Sequence, residues 1–328
     1  LVDVLLPRGW YAFVLACVVA FVSLSAAPAR AQGVSPEVSR GLNWLQGQVQ
    51  ANGSLANEAA SVATALQNRS ETAQALAALA SVPPSLSDAV AAEPDANTEY
   101  LARQAIALIA AGRDAAAQVN LLLLRRNADR GFGGGPGFES NPLDTAWTVL
   151  ALARAGQGAG VIARDARAYL MASMQADGGI GAPNDLARIE YGALALFALQ
   201  TVGDGSTATA VRTLLAWMLQ RQAADGSWQS DVHLTAISLI AIAPAASDPA
   251  RRAAAGAFLI SRQGAAGSWL DDPFLTAVAL RALGAGAASP AAGTLAGQVV
   301  DQATNLPLAG AAVALSGAGT ASVLTDGD

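Results

Sequence analysis

The chain has 328 residues, 53% of them hydrophobic and 13% charged, with a formal charge of −6. That composition excludes a disordered polymer and points to a large buried core, while the acidic balance argues against nucleic acid as the main partner. One cysteine and one histidine leave no disulfide and no cysteine-ligated zinc site.

The first segment is read apart from the rest. Arg8 precedes an apolar run from Trp10 to about Val22, and Ala29-Arg30-Ala31 stand before Gln32. That charged, apolar, small-residue order predicts a secretory signal peptide over 1–31. The run is shorter than the ~20 residues of a spanning helix, so contact with a membrane is expected only through this segment. Its removal takes out Asp3, Arg8 and Arg30 (net +1), moves the charge from −6 to −7, and leaves a mature chain without cysteine. The chain begins with Leu and ends in "LTDGD", and a fragment of a longer protein is expected.

From residue 32 onward the chain repeats. Turns recur at "QANGSL", "NADRGF", "QADGGI", "QAADGSW" and "QGAAGSW", starting at Gln50, Asn127, Gln175, Gln222 and Gln263. A one-faced amphipathic run precedes each turn. In "VRTLLAWMLQ" residues Val211, Leu214, Leu215, Met218 and Leu219 keep the i, i+3, i+4, i+7, i+8 spacing. "SDPARRAAAGAFLISRQ" opens with Asp248 as N-cap and Pro249 at the first helical position. The run after each turn is apolar nearly all round and shares a small residue, at Ala73, Ala102, Ala146, Gly192, Ala236 and Ala277. Six pairs, each with one amphipathic and one fully buried helix, predict a mainly α fold of two concentric rings, an α6/α6 toroid over 32–286. An open solenoid would have helices that read more alike.

The turn glycines, Gly226 and Gly267 among them, supply the φ > 0 geometry that ends a helix. The aromatic two residues later brings a large apolar area to the corner. The pairs Gln222…Trp228 and Gln263…Trp269 are therefore expected to fasten one hairpin to the next, with the glutamine amide serving groups at helix ends. A linker at 287–293 leads into 294–328, "GTLAGQVVDQATNLPLAGAAVALSGAGTASVLTDGD". Period-two alternation broken by Gly and Pro predicts strands and turns there. Its residue order resembles the start of a carboxypeptidase-regulatory-like β-sandwich, which implies a module cut short here.

"QAADGSW" and "QGAAGSW", each followed by an apolar inner helix that carries Thr-Ala near its start, resemble the glutamine-tryptophan repeats of terpenoid cyclases and prenyltransferase α/α-toroids. The resemblance spans roughly residues 38–286. Leu55, Phe132 and Ile180 stand where the signature has tryptophan.

If the inner helices all run one way, their starts converge on one mouth. Glu71, Asp144 and Glu190 share a position two residues before the small anchor, His233 lies one residue earlier in its own repeat, and Asp231 and Asp272 are in the adjoining turns. Trp147 and Tyr191 are expected to line the cavity beneath this acidic rim. Carboxylates at helix N-termini accept orphan N–H groups and oppose the macrodipole, which accounts for them without chemistry. Two sharper readings are Asp144 with Glu190 as general acid and base, and His233 with Asp231 as metal ligands.

The resemblance bears on this choice. Cyclases of the protonating type carry Asp-x-Asp-Asp-Thr-Ala, the middle aspartate being the acid. Here the stretch is "NPLDTA", so Asn141, Leu143 and Asp144 stand at the three aspartate positions and Leu143 holds the donor's place. Asp271 and Asp272 in "WLDDPFLTA" have a different spacing. The Asp/Cys/His zinc site of the prenyltransferases lacks its cysteine, and the Cys-Gln thioester stretch of complement toroids is absent. "GFGGGPGF", Gly131 to Phe138, lacks the Lys and the preceding strand of a phosphate loop and is expected to be a lid over the mouth. The sequence therefore predicts a secreted or cell-surface, non-catalytic binding protein with no cofactor and no metal. Its expected partner is a small hydrophobic molecule, a glycan or a surface protein. The alternative is an enzyme, either a terpene cyclase or mutase relative or a carbohydrate-active toroid using the acidic rim.

Overall fold

The computed structural model describes residues 35–287, apart from 95–96, 183–184, 186, 202–204 and 246–247, together with three short strands outside that span. Two compact units are present, Val34–Ser289 and a second made of Leu1–Gly33 with Pro290–Asp328. The first unit contains twelve α-helices among the described residues: α1 (Pro36–Gln48), α2 (Ala65–Leu79), α3 (Pro84–Ala92), α4 (Thr98–Ala110), α5 (Ala116–Leu123), α6 (Pro142–Arg154), α7 (Val161–Ala172), α8 (Arg188–Leu199), α9 (Ala208–Gln220), α10 (Val232–Ile242), α11 (Pro249–Ser261) and α12 (Pro273–Ala287).

The even-numbered helices pack each on the next, and α12 packs on α2, so the inner ring closes. The odd-numbered helices lie outside, most of them against two inner neighbours; α1 lies on both α12 and α2. Burial follows the sequence pattern. The inner α10, "VHLTAISLIAI", buries Val232, Thr235, Ala236 and the whole run Ser238–Ile242, whereas the outer α9 buries only Leu214, Trp217 and Met218. Every small anchor (Ala73, Ala102, Ala146, Gly192, Ala236, Ala277) is buried on an inner helix. Asp248 caps α11, accepting from the Arg251 N–H at 3.0 Å with Pro249 in the first turn.

The corners carry the repeat. Gln222 Nε2 donates to the Gly226 carbonyl (2.8 Å) and to the Arg251 carbonyl in α11 (2.9 Å). Gln263 Nε2 makes the same pair of bonds, to Gly267 and to Glu37 of α1, both at 2.8 Å. Trp228 and Trp269 are fully buried. Their indole N–H groups donate to Met218 (2.9 Å) and Leu259 (2.7 Å) at the ends of their own outer helices. Their backbone N–H groups donate to Thr235 and Thr276 in the following inner helices, at 3.1 and 3.0 Å. The tryptophan thus ties its own hairpin together, and the glutamine reaches the next one. The glycine does both. Gly53, Gly226 and Gly267 have φ of +81°, +88° and +101°. A Cβ there would meet the carbonyl oxygen of Ser85, Ala254 or Arg40 in the next outer helix, at 2.0, 2.2 and 2.6 Å. In the third corner Arg130 holds this place at φ 75°.

The bridges Val49–Leu55, Arg126–Phe132 and Met174–Ile180 span six residues, the separation of Gln222 from Trp228. Val49, Arg126 and Met174 are therefore the structural equivalents of Gln222, and Gln50 and Gln175 lie one position later. Gln50 and Gln175 bond locally instead, to the carbonyls of Gln48 and Ser173.

In the second unit β1 (Val2–Leu5), β2 (Ala312–Leu315) and β3 (Ala321–Leu324) form an antiparallel sheet in that order, Val2 opposite Leu315 and Ala312 opposite Leu324. The expected alternation near the C-terminus thus yields two strands, and no second sheet of a sandwich occurs among the described residues. Strand β1 falls within the segment read as a signal peptide; the remainder of 1–34 and the linker 288–293 lie outside the described residues.

Gly267→Ala is expected to cost more than ~2 kcal/mol, because it forces both φ and a backbone collision at the closing seam. Gly112→Ala, at φ +70° with nothing within 4 Å of the new Cβ, should cost ~1 kcal/mol. Trp228→Ala should cost ~3–5 kcal/mol. Urea unfolding of the three variants measures this, and equal losses for the two glycines would remove the corner's special role.

Candidate functional site

The starts of the inner helices do converge. Asp272, N-cap of α12, accepts from the Leu275 N–H (3.1 Å) and also from the Ser61 hydroxyl (3.0 Å) and Val62 N–H (2.8 Å) just before α2. Asp144 in α6 accepts from the N–H of Glu99 in α4 (3.0 Å). Between the six helices lies a cavity of ≈ 40 Å³, room for a few waters at most.

The cavity's wall follows the anchors. The residue after each small anchor (Gln74, Arg103, Trp147, Ala193, Ile237, Val278) lines it, as do Ile106, Leu150, Ile240 and Arg281 one turn further on. Glu71, Glu190, His233, Phe274, Phe197 and Arg154 complete the polar and aromatic part.

At mid-depth Glu71, 1% exposed, is held by two arginines: Arg103 at 2.7 Å, and Arg281. Arg103 also binds Glu99 at 2.7 Å and lies 3.9 Å over the Trp147 ring. A buried carboxylate needs such partners, since an unpaired one would cost several kcal/mol. Trp147 is 5% exposed, and its indole N–H has no acceptor, a deficit of about 1–3 kcal/mol.

His233 faces the cavity beside Phe274, ring centroids 5.2 Å apart and planes tilted by 44°. Burial lowers the imidazole's pKa, and the Glu190 carboxylate is the strongest influence in the other direction. Burial is also the main effect at Asp144, raising its carboxyl above the ordinary range, while the Asn141 amide opposes it through a 2.6 Å bond.

Four of the expected site residues therefore meet at the cavity: Glu71, Trp147, Glu190 and His233. Four do not line it. Asp144 is turned toward Asn141 and Glu99, so it does not stand across an open groove from Glu190. Tyr191 packs beside Gly181. Asp231 is an exposed N-cap of α10, accepting from Leu234 at 2.7 Å, and Asp272 serves the seam. Among the described residues no cluster of metal-ligating side chains is present. The glycine-rich stretch is not a free lid. Thr98 donates to the carbonyls of Gly134 (3.0 Å, from N) and Gly133 (2.5 Å, from Oγ1), and Asn127 holds Phe138 at 2.9 Å. Leu143, in the place of the protonating aspartate, is partly buried against the core.

Arg103, Arg154 and Arg281 were outside the sequence expectation. The signal for them was helical register: counted from the anchors Ala102, Ala146 and Ala277 they stand at +1, +8 and +4, on the face that also carries Trp147 and Ile237.

No protein-family model and no curated protein matches the sequence. Solved structures do match its fold. A variant of the type II terpene cyclase MstE from Scytonema, in complex with geranylgeranyl dihydroxybenzoate, is similar with a TM-score of 0.62 at 14% identity, over 77% of this chain and 97% of that one. A second MstE variant with the same substrate has a TM-score of 0.62 at 15% identity, with the same coverage. The ent-copalyl diphosphate synthase from Streptomyces platensis is similar with a TM-score of 0.56 at 22% identity, over 68% of this chain and 51% of that one. The helical unit thus has the terpenoid-cyclase type of α/α toroid. These neighbours correct the expectation of a non-catalytic binding protein: they are enzymes, two of them holding substrate, and they favour the enzyme alternative.

Because the folded imidazole of His233 has a pKa below its unfolded value of ~6.5, the unfolded chain binds more protons on acidification. Its share of stability is complete above that pH and is lost as the pH falls. Melting temperatures of the protein and of His233→Phe, taken from about pH 7.5 to about pH 5.5, should show a shallower decline in the variant. An unchanged slope would mean that the imidazole is not held neutral.

Proposed function

We propose that the chain is an acid-catalysed isoprenoid cyclase, with His233 and Glu190 in place of the missing aspartate. The observation that carries this reading is that His233 and Glu190 face a cavity whose wall also holds the aromatic rings of Trp147, Phe197 and Phe274. Burial makes a proton on His233 easier to give up than in water, and Glu190 attracts that proton to the ring. The imidazolium transfers it to one carbon of a terminal double bond, whose π electrons form the new C–H bond and leave a tertiary cation. A second double bond attacks that cation and closes a ring, and loss of a proton to water or back to the imidazole restores neutrality. The faces of Phe274 and Phe197 offer the cation a stabilising quadrupole. The fold shared with the type II cyclases supports the same reading.

At ≈ 40 Å³ the cavity is far below the roughly 300–1,000 Å³ of a ligand pocket. A C20 chain therefore requires the side chains that fill the barrel, Arg103 and Arg281 foremost, to swing aside. The carbohydrate alternative loses its acid–base pair, since Asp144 does not line the cavity.

The test is incubation of the purified protein with squalene, geranylgeranyl diphosphate and geranylgeranyl dihydroxybenzoate, followed by mass spectrometry of cyclised products. Glu190→Gln and His233→Gln should each lose about 100-fold or more in turnover, while Asp144→Asn, if folded by its melting curve, should retain most of it. The rate should rise as the pH is lowered, because burial depresses the His233 pKa below the ordinary imidazole value and leaves the imidazolium sparse near neutrality. No product from any of the three, or undiminished turnover in both cavity variants, would sink the proposal.

A further inference from the structure

The cavity runs the length of the inner ring. It begins beside His233 and Phe274, each the second residue of its helix, and it reaches Arg154, the last residue of α6. Its mouth side is filled and braced. Arg103 lies between two rings across the axis, 3.9 Å from the Trp147 centroid and 5.9 Å from that of Phe274, while His233 packs on Phe274. Arg103 is also bonded to Glu71 and Glu99, both at 2.7 Å. Around this plug the helix starts are tied together, α12 to the segment before α2 through Asp272, and α6 to α4 through Asp144. Passage on this side requires the breaking of ion pairs between buried charges, which is costly.

The far side differs. Where α4 and α6 finish and α5 starts lies an open groove of ≈ 360 Å³, with Arg113, Asp114, Val119, Asn120 and Gln157 in its wall. Arg154 belongs to the wall of the groove and to that of the cavity, and no other residue is common to both. Of the three arginines that line the cavity, Arg154 alone is exposed. An exposed side chain changes rotamer rapidly, and moving this one breaks none of the buried ion pairs that brace the mouth. Where it stands, partial burial and the like charge of Arg281 both disfavour the guanidinium. Turned into the groove, it meets water and shares a wall with the Asp114 carboxylate.

We infer that ligands enter the barrel from this groove, with the Arg154 side chain as the gate between groove and cavity, and not through the mouth where the helix starts converge. A chain that enters this way carries its leading end toward Glu190 and His233. The terminal double bond then arrives first at the groups that protonate it, a consequence that rests on the cyclase reading; the entry route itself does not.

Labelling of a cysteine inside the cavity tests the route without turnover. The reporter is Ile240→Cys, on the cavity wall, in a full chain whose own Cys17 is replaced by serine, and the probe is N-ethylmaleimide. Arg154→Ala should speed the labelling about tenfold or more, and Arg154→Trp should slow it by a similar factor, because one side chain then limits access. Phe274→Ala, which removes a ring from the mouth-side plug, should leave the rate within about twofold. A second reporter, Leu45→Cys, is fully buried on α1 outside the cavity wall and reads opening of the whole unit. Acceleration by Phe274→Ala in place of Arg154→Ala, no response to either Arg154 substitution, or equal acceleration of the two reporters would overturn the inference. Labelling reads access alone. A gate that behaves as expected in a chain forming no ring keeps this inference and loses the cyclase; cyclisation undiminished by Arg154→Trp does the reverse.

Discussion

A glycine at φ near +90°, pressed against the backbone of the next outer helix, is the constraint on which the rest of this molecule depends. It satisfies two conditions at once. The chain must reverse after an outer helix, which needs the left-handed region, and the reversed corner must touch a carbonyl with no room for a Cβ. At Gly226 and Gly267 the neighbouring glutamine bonds the same junction, so direction and spacing are fixed together. Gly267 and Gln263 do this across the seam to α1, and that contact makes the array a ring.

Closure has chemical consequences. Six inner helices brought into a circle place the residue after each small anchor on the axis, whatever its polarity. Most of these are apolar and pack, but Arg103 cannot be left there alone. Its position is tolerable because Glu71 and Glu99 are within 2.7 Å and the Trp147 face lies beneath it. Buried charge of this kind adds little to stability compared with apolar packing.

The Asp144 carboxylate illustrates how a shared sequence position can lead to different places. Glu71 and Glu190 occupy the same register and reach the cavity, whereas Asp144 is drawn aside by the Asn141 amide and the Glu99 N–H. The aspartate thus becomes a strut between two helix starts. Glu190 and His233 are carried by α8, the inner helix next to Leu143's α6, and by α10 beyond it.

Much of this was legible in the residues. Apolar periodicity separated inner from outer helices, the Gly-x-Trp corners located the reversals, and the small anchors set the register, because those patterns reflect local sterics and burial that hold in any context. The strand-like C-terminal stretch was readable only as strands, since alternation says nothing about how many sheets will stack. What only the tertiary structure decided was which polar side chains share the axis. Arg103, Arg154 and Arg281 lie on three different helices far apart in the chain, and neither the pairing of two of them with Glu71 nor the smallness of the space they leave follows from any local pattern. Sequence periodicity fixes a residue's face on its own helix; the depth at which faces from different helices meet is set by corner lengths and ring closure, which are properties of the whole.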